Sequence, residues 1–330
     1  MKINKVLFGL VFSLVLCTAT TSLHAGYTLV DGKLVDRRIN ATMPVQGHYS
    51  VAMNAVESKQ WDGVVRHFRI IENNFPDSPF AQEAQFYIGV GYYYLGDYDM
   101  ANQSLSAYLK DKHSSKHFEE SFEYKFAIAE KFREGAKKHI FGMEKLPKWI
   151  DATEDALGIY NEVVTSLPSH QLAAKSLFAK GCLLRDMRNY RESIEAFQGL
   201  IRRFPKDELA PKAFLAIGDV YQEQSRSEFQ NPDLLALAQI NLRRFRENFS
   251  GDPKLQEAET QLAAMQETFA GGLFETGSFY ERTKHPQASA IYYASTIQQF
   301  PTTQAAGHAR ARLKVLEEEC SVKTFIGETQ

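Results

Sequence analysis

Few residues in this chain have the types and spacing to do chemistry. Gly89-x-Gly91-x-x-x-x-Gly96 has the glycine content of a phosphate-wrapping loop. Such a loop needs a strand before it and a Lys-Ser/Thr helix start after it, so that backbone N–H groups and an ammonium converge on the anion. Both flanks are missing here, and the three glycines fall within a helical pattern. His113, His117 and His139 offer imidazoles, but their spacing does not converge on a metal, and solvated histidines are the expectation. Serines lack the strained Gly-x-Ser-x-Gly elbow that exposes a nucleophile. Cys182 and Cys320 lie far apart without metal-ligand spacing and read as two thiols, with Cys182 half-buried on a helix. Runs such as Arg202-Arg203 and Glu317-Glu318-Glu319 read as solvated helix faces. The expectation is a chain without catalytic, cofactor-binding or metal-binding residues.

Bulk properties narrow the classes further. Lys and Arg total 38 against 40 Asp and Glu, a net charge of −2, so no basic stripe invites nucleic acid. Only 20 Gly and 11 Pro occur in 330 residues, which argues against a sandwich of short strands and against a disordered chain. Phe and Tyr are abundant, which suits helix-on-helix packing and a ring-lined surface alike.

The first residues address the chain to export. Lys2 and Lys5 precede an apolar run from Val6 to Leu16, and Leu23-His24-Ala25 then offers small residues for cleavage before Gly26. The run is too short for a permanent membrane span. Cys17 follows it directly, where bacterial lipoproteins are cleaved and lipidated, yet Leu16 stands where that processing wants a small residue. Cleavage after Ala25 and lipidation at Cys17 both stay open on the sequence. Residues 26–43 read as an extended tether without pattern.

The elements that follow announce their own period. Asn74-Phe75-Pro76, Ser166-Leu167-Pro168, Arg203-Phe204-Pro205 and Gln299-Phe300-Pro301 are versions of one ending, a large apolar residue before a proline that stops a helix. Seven residues before each apolar residue stand Phe68, Tyr160, Phe197 and Tyr293, all aromatic. A step of seven returns to the same helix face, so each ending closes a helix with one buried stripe. An earlier helix in each repeat carries a small residue where the two helices cross. Ile88-Gly89-x-x-Tyr92, Gly96-Asp97-Tyr98, Ala101 and Leu105 match the tetratricopeptide (TPR) pattern of large-small-x-x-aromatic, turn, Ala and Leu. Gly181 with Tyr190 and Phe197, Ile217-Gly218-x-x-Tyr221 with Ala238 and Leu242, and Gly277-x-x-Tyr280 with Tyr293 repeat it.

One helix pair cannot bury its own apolar face, whereas stacked pairs can. The expected fold is therefore all-α: a right-handed superhelical TPR-type solenoid of about six helix pairs plus a C-terminal capping helix. Boundaries fall near 44–79, 80–115, 116–170, 171–207, 208–252 and 253–303, with a cap at 304–319 and a flexible tail at 320–330. Extra residues lengthen the third repeat between Gly135 and Lys148 and the fifth between Ser225 and Pro232, as loops or helix extensions. A concave face lined by first helices would carry Tyr49 and Met53, then Phe86, Val90, Tyr93 and Tyr94, then Phe178, Cys182 and Arg185. Tyr92, Tyr93 and Tyr94 cannot all face a core, because each helical step turns about 100°. Such a face suits an extended peptide with aromatic side chains.

The first two repeats resemble the BamD family, the TPR lipoprotein of the bacterial outer-membrane β-barrel assembly machinery. The resembling residues are Trp61-x-x-x-Val65, Phe75-Pro76-x-Ser78, Ala81, Gln85 and Tyr92 to Tyr94. Phe269, Tyr280-Glu281-Arg282, Tyr292 and Phe300-Pro301-x-Thr303-x-Ala305 add to the resemblance in the last repeat. The resemblance implies a non-enzymatic adaptor, periplasmic at the inner face of the outer membrane. Its N-terminal repeats would hold unfolded outer-membrane protein segments, which end in an aromatic residue, and its C-terminal repeats would dock on the barrel-forming subunit. Arg282 is nearest to the arginine the family uses for that docking. A periplasmic TPR scaffold for cell-wall or division complexes is the alternative.

Overall fold

The computed structural model describes residues 27–30, 33–36, 40–110, 116–227 and 231–327. The expected export signal, Cys17 and His113 lie outside them, as does the side chain of Cys320. The chain divides into two compact units, residues 1–153 and 154–330. The division falls inside the third expected repeat.

The N-terminal unit begins with an antiparallel hairpin of β1 (Tyr27–Val30) and β2 (Lys33–Asp36), with Tyr27 opposite Asp36 and Val30 opposite Lys33. The tether read as patternless is thus partly paired. The sequence Asp31-Gly32 between two short runs containing β-branched and apolar residues is the signal for such a pairing. Helices α1 (Val45–Glu57), α2 (Trp61–Asn74), α3 (Ala81–Leu95), α4 (Tyr98–Leu109) and α5 (Phe118–Arg133) follow. Each packs against the next along the chain from α1 to α5. Gly96 caps α3 with φ +78°, a left-handed position glycine takes without steric cost. The lengthened link after α5 is a second hairpin, β3 (Lys138–His139) with β4 (Lys148–Ile150), around a 3-10 turn at Ile140–Gly142. A strand pair there is neither the loop nor the helix extension that the sequence suggested.

His48, wholly buried on α1, pins the start of this unit. Its Nε2 accepts the backbone N–H groups of Thr42 and Met43 at 3.2 and 3.3 Å. Nε2 must therefore lack a proton, so Nδ1 carries it and donates to His67 Nδ1 at 3.0 Å. Burial favours the neutral ring and lowers the pKa of both histidines, and the neighbouring His48 lowers that of His67 further.

The C-terminal unit holds α6 (Thr153–Ser166), α7 (Gln171–Asp186), α8 (Tyr190–Arg203), α9 (Leu209–Ser227), α10 (Pro232–Asn248), α11 (Lys254–Arg282), α12 (Pro286–Gln299) and α13 (Gln304–Gly327). Its main core runs from Leu177 and Phe197 through Ile217 and Tyr221 to Met265, Phe269 and Ala305. Phe68, Tyr160, Phe197 and Tyr293, the rings one heptad before each break, are all fully buried. The breaks share one conformation: Phe75, Phe204 and Phe300 end their helices at φ between −128° and −136° and ψ between 52° and 58°. Phe249 ends α10 the same way at φ −141° and ψ 51°, without a proline beside it, so proline marks this ending but does not create it. Side chains then start the next helix: Asp207 accepts the N–H of Leu209, and Asp252 that of Lys254, at 2.9 and 2.8 Å. The last helix runs on to Gly327, past the end expected at 319. No glycine or proline interrupts it between Gly307 and Gly327.

Candidate functional site

In α3, three tyrosines in sequence meet three environments. A helix turns about 100° per residue, so Tyr92 points into the core while Tyr94 faces solvent with half its surface free. The hydroxyl of buried Tyr92 accepts from Arg69 Nη1 at 3.1 Å, and Arg69 also pairs with Glu144 at 3.0 Å. Tyr94 lies flat on Trp61, with centroids 4.2 Å apart and planes 11° from parallel. Tyr124 of α5 closes the group at 6.3 Å from Tyr94 and 5.3 Å from Tyr93, and its hydroxyl shares a hydrogen bond with that of Tyr94. Tyr98 continues the row 5.8 Å from Tyr93. A second group on the same unit joins Phe80, Tyr49, Phe68 and Tyr87 through contacts of 4.4, 6.0 and 4.7 Å.

Burial disfavours the charged form of several of these phenols. Burial pushes Tyr87 and Tyr92 up to about 12 and raises Tyr93 and Tyr124 as well, with the Tyr94 hydrogen bond helping at Tyr124. All four stay neutral in water near neutral pH. They offer flat apolar area and hydroxyls that donate or accept, which is what an aromatic or backbone-rich ligand requires.

The glycines and histidines set aside as phosphate or metal ligands have other places. Gly89 and Gly91 lie in the middle of α3, with Gly96 at its end, not in a strand-to-helix loop. His117 stacks on Phe86 at 4.0 Å and pairs with Glu120 at 2.8 Å, while buried His139 is held by Asp99 at 2.8 Å. His139 also lies 3.8 Å from Asp97, and its burial corrects the expectation of a solvated histidine, because the hairpin seats it against α4. Among the described residues no group of three His, Cys, Asp or Glu is placed to hold a metal, and no helix is long and apolar enough to cross a membrane.

Comparison with known proteins bears on this arrangement. The family described as outer membrane lipoprotein, YfiO, matches residues 41–231. The chain belongs to that family. YfiO is the BamD family that the sequence resembles. No curated protein matches the chain. Solved structures similar to it include the MamA protein, 14% identical over 62% of this chain and 92% of that one, TM-score 0.39. A tetratricopeptide repeat protein from Parabacteroides merdae ATCC 43184 is 11% identical over 83% and 98%, TM-score 0.36. The apo form of RapI is 15% identical over 82% and 75%, TM-score 0.40.

The stretch matched by the YfiO family contains the whole aromatic surface and stops before α11, which carries Arg282. Arg282 is exposed in the last turn of α11. Tyr49, Met53 and Tyr93 are half-buried and Tyr94 is exposed, so these four have surface to offer. Phe86 and Val90 do not. They are 2% and 6% exposed, and Phe86 is sandwiched among Tyr87, Tyr108, His117 and Tyr124. Counting along α3 put them on the open side, but the helices after α3 supply rings that cover Phe86. Phe178, Cys182 and Arg185 of α7 are half-buried, with Phe178 and Cys182 packed on the core. Trp61 and Tyr124 are members absent from the expected concave face. Trp61 enters the sequence reading through the family resemblance; its distance from Tyr94 is something no single helix reveals.

Proposed function

We propose that this chain is a non-enzymatic adaptor in the assembly of outer-membrane β-barrel proteins, working in the periplasm at the inner face of the outer membrane. The aromatic surface of the N-terminal unit takes up unfolded outer-membrane protein segments, and Arg282 contributes to docking on the barrel-forming subunit. Membership of an outer membrane lipoprotein family supports the location and the assembly role. The observation that carries the reading is Tyr94, exposed, stacked on Trp61 and flanked by Tyr93 and Tyr124. A terminal aromatic ring on a peptide can extend that stack, while the neighbouring hydroxyls bond to its backbone.

The test is a binding titration of the purified chain with two outer-membrane protein peptides, one ending in Phe and one in which that Phe is Ala. The Phe peptide binds more tightly, and Tyr94→Ala removes about tenfold of its affinity, the scale of one well-placed ring at an interface. Equal binding of both peptides, or indifference to Tyr94→Ala, would sink the assignment. Docking is read separately by capture of the purified barrel-forming subunit, which Arg282→Glu weakens without touching peptide binding.

A further inference from the structure

The hairpin inserted after α5 carries the two most exposed large apolar side chains among the described residues, Phe141 at 88% and Trp149 at 74%. Met143 and Ile150 beside them are also exposed. A sixth repeat helix could have buried such residues; this hairpin instead holds them away from its own unit. It is not a loose loop. His139 is bound to Asp99 through both its backbone N–H and its ring, at 2.9 and 2.8 Å. Lys148 donates to the carbonyl of Gly96 at 2.8 Å and pairs with Asp97. Glu144 is tied to Arg69, and Ile140 N–H donates across the hairpin to Pro147 O at 3.1 Å. At the tip Phe141 adopts φ +54°, a left-handed backbone that a bulky side chain rarely takes, next to Gly142 at φ +64°. The fold thus fixes a strained turn whose ring touches little of the protein.

The composition of the segment says what would receive it. Four lysines, Lys137, Lys138, Lys145 and Lys148, stand against Glu144 and Asp151 in this stretch, a positive excess within a chain whose net charge is −2, with Lys137 paired to Asp151 and Lys148 to Asp97. Exposed Phe141 and Met143 at the turn, and Trp149 and Ile150 on β4, with lysines interspersed among them, match the boundary between acyl chains and anionic headgroups. Trp prefers that depth, and lysine stems lie along apolar surface while the ammonium reaches phosphate. A side chain 88% free has no groove wall beside it. It suits a yielding medium into which it can sink better than a rigid peptide laid across it. We propose that the 137–151 hairpin is a membrane-surface finger that inserts Phe141 and Trp149 into the interface of an anionic phospholipid bilayer. This is independent of any lipid at Cys17 and of peptide binding at Tyr94.

The chain has two tryptophans, Trp61 and Trp149, so the emission of Trp149 is isolated by subtracting the spectrum of a Trp149→Phe variant. The exported, processed protein is mixed with vesicles of phosphatidylethanolamine and phosphatidylglycerol, some with brominated acyl chains. Trp149 emission should shift to the blue and be quenched by bromine, and vesicles of phosphatidylcholine alone should give a weaker response. Phe141→Ser should cut vesicle partitioning attributable to the finger by about tenfold, the loss expected for one ring, with an unchanged melting curve. Because the readout is the environment of Trp149 itself, an anchor elsewhere in the chain does not mimic it. Trp149 emission that ignores vesicles would overturn the proposal, as would a shift seen only when a purified envelope protein is added without lipid.

Discussion

The same position in two repeats presents opposite chemistry. Three, four and five residues after Gly89 stand Tyr92, Tyr93 and Tyr94; after Gly181, in the same register, stand Leu184, Arg185 and Asp186. In both helices the first of the three is buried, at 5% and 1%, and the last is exposed. The repeat geometry therefore decides which positions face out, and residue type alone decides what they offer. After Gly89 the outward positions are rings, Tyr94 stacked on Trp61 and Tyr93 edge-on to Tyr94; after Gly181 they are a charged pair, Arg185 with Asp186 at 3.2 Å. The inward side differs too. A Cβ on Gly181 would stand 2.6 Å from the Phe197 ring, and one on Gly277 2.7 Å from the Tyr293 ring, so in the C-terminal unit the glycine makes space for an aromatic. At Gly89 the facing side chain is Leu105. Gly181 and Gly277 thus admit rings to their crossings, whereas Gly89 admits an aliphatic side chain and the rings of its helix gather around Tyr94.

The sharpest contrast should come from removing one ring of each kind. Phe197→Ala empties a closed site and is expected to cost ~3–5 kcal/mol in urea unfolding, whereas Tyr94→Ala, half exposed, should cost under ~1 kcal/mol. Similar costs would mean that Tyr94 belongs to the core. Gly181→Ala comes next. Overpacking against a rigid ring costs ~1–3 kcal/mol, partly offset by the ~1 kcal/mol helix preference of Ala, so a net loss near 1 kcal/mol is expected. Gly89→Ala should lose less, because the branched aliphatic chain of Leu105 deforms more readily than the rigid Phe197 ring, even though both are buried. Equal losses at both sites would erase the distinction between the crossings.

The smallest expected effect is one of pH, confined to the N-terminal unit. His48 and His67 have folded pKa values below the ordinary 6.5, so the unfolded chain binds protons first. Their contribution is complete above about 6.5 and is lost as pH falls through the lowered folded values. The melting temperature should fall on acidification below that point, and His67→Asn should flatten the dependence. A melting curve that does not respond to acid there would show the histidine pair carries no such linkage.

Much of the fold was legible because the repeat is local. The aromatic one heptad before each Phe-Pro or Leu-Pro ending lies on one face of one helix, and a ring there has to be covered whatever the partner helix is. That reasoning placed Phe68, Tyr160, Phe197 and Tyr293 in the interior, where they lie. It also required that one of three consecutive tyrosines be exposed, and Tyr94 is. It failed at Phe86 and Val90, since the cover at Phe86 comes from His117 and Tyr124 on residues outside that helix pair. It failed again in the lysine-rich insertion, whose mixed pattern has neither the helical period nor clean strand alternation.

The helices, their stops and the side of each that must be hidden are written locally, because they follow from contacts a few residues apart on one backbone. Which outward residues form a surface depends on the folded arrangement. Trp61 reaches Tyr94 across two helices, Arg69 reaches Glu144 across 75 positions, and Lys148 reaches Gly96 across 52. Exposure is a property of what else arrives nearby, and a one-dimensional pattern does not record arrivals from that far along the chain.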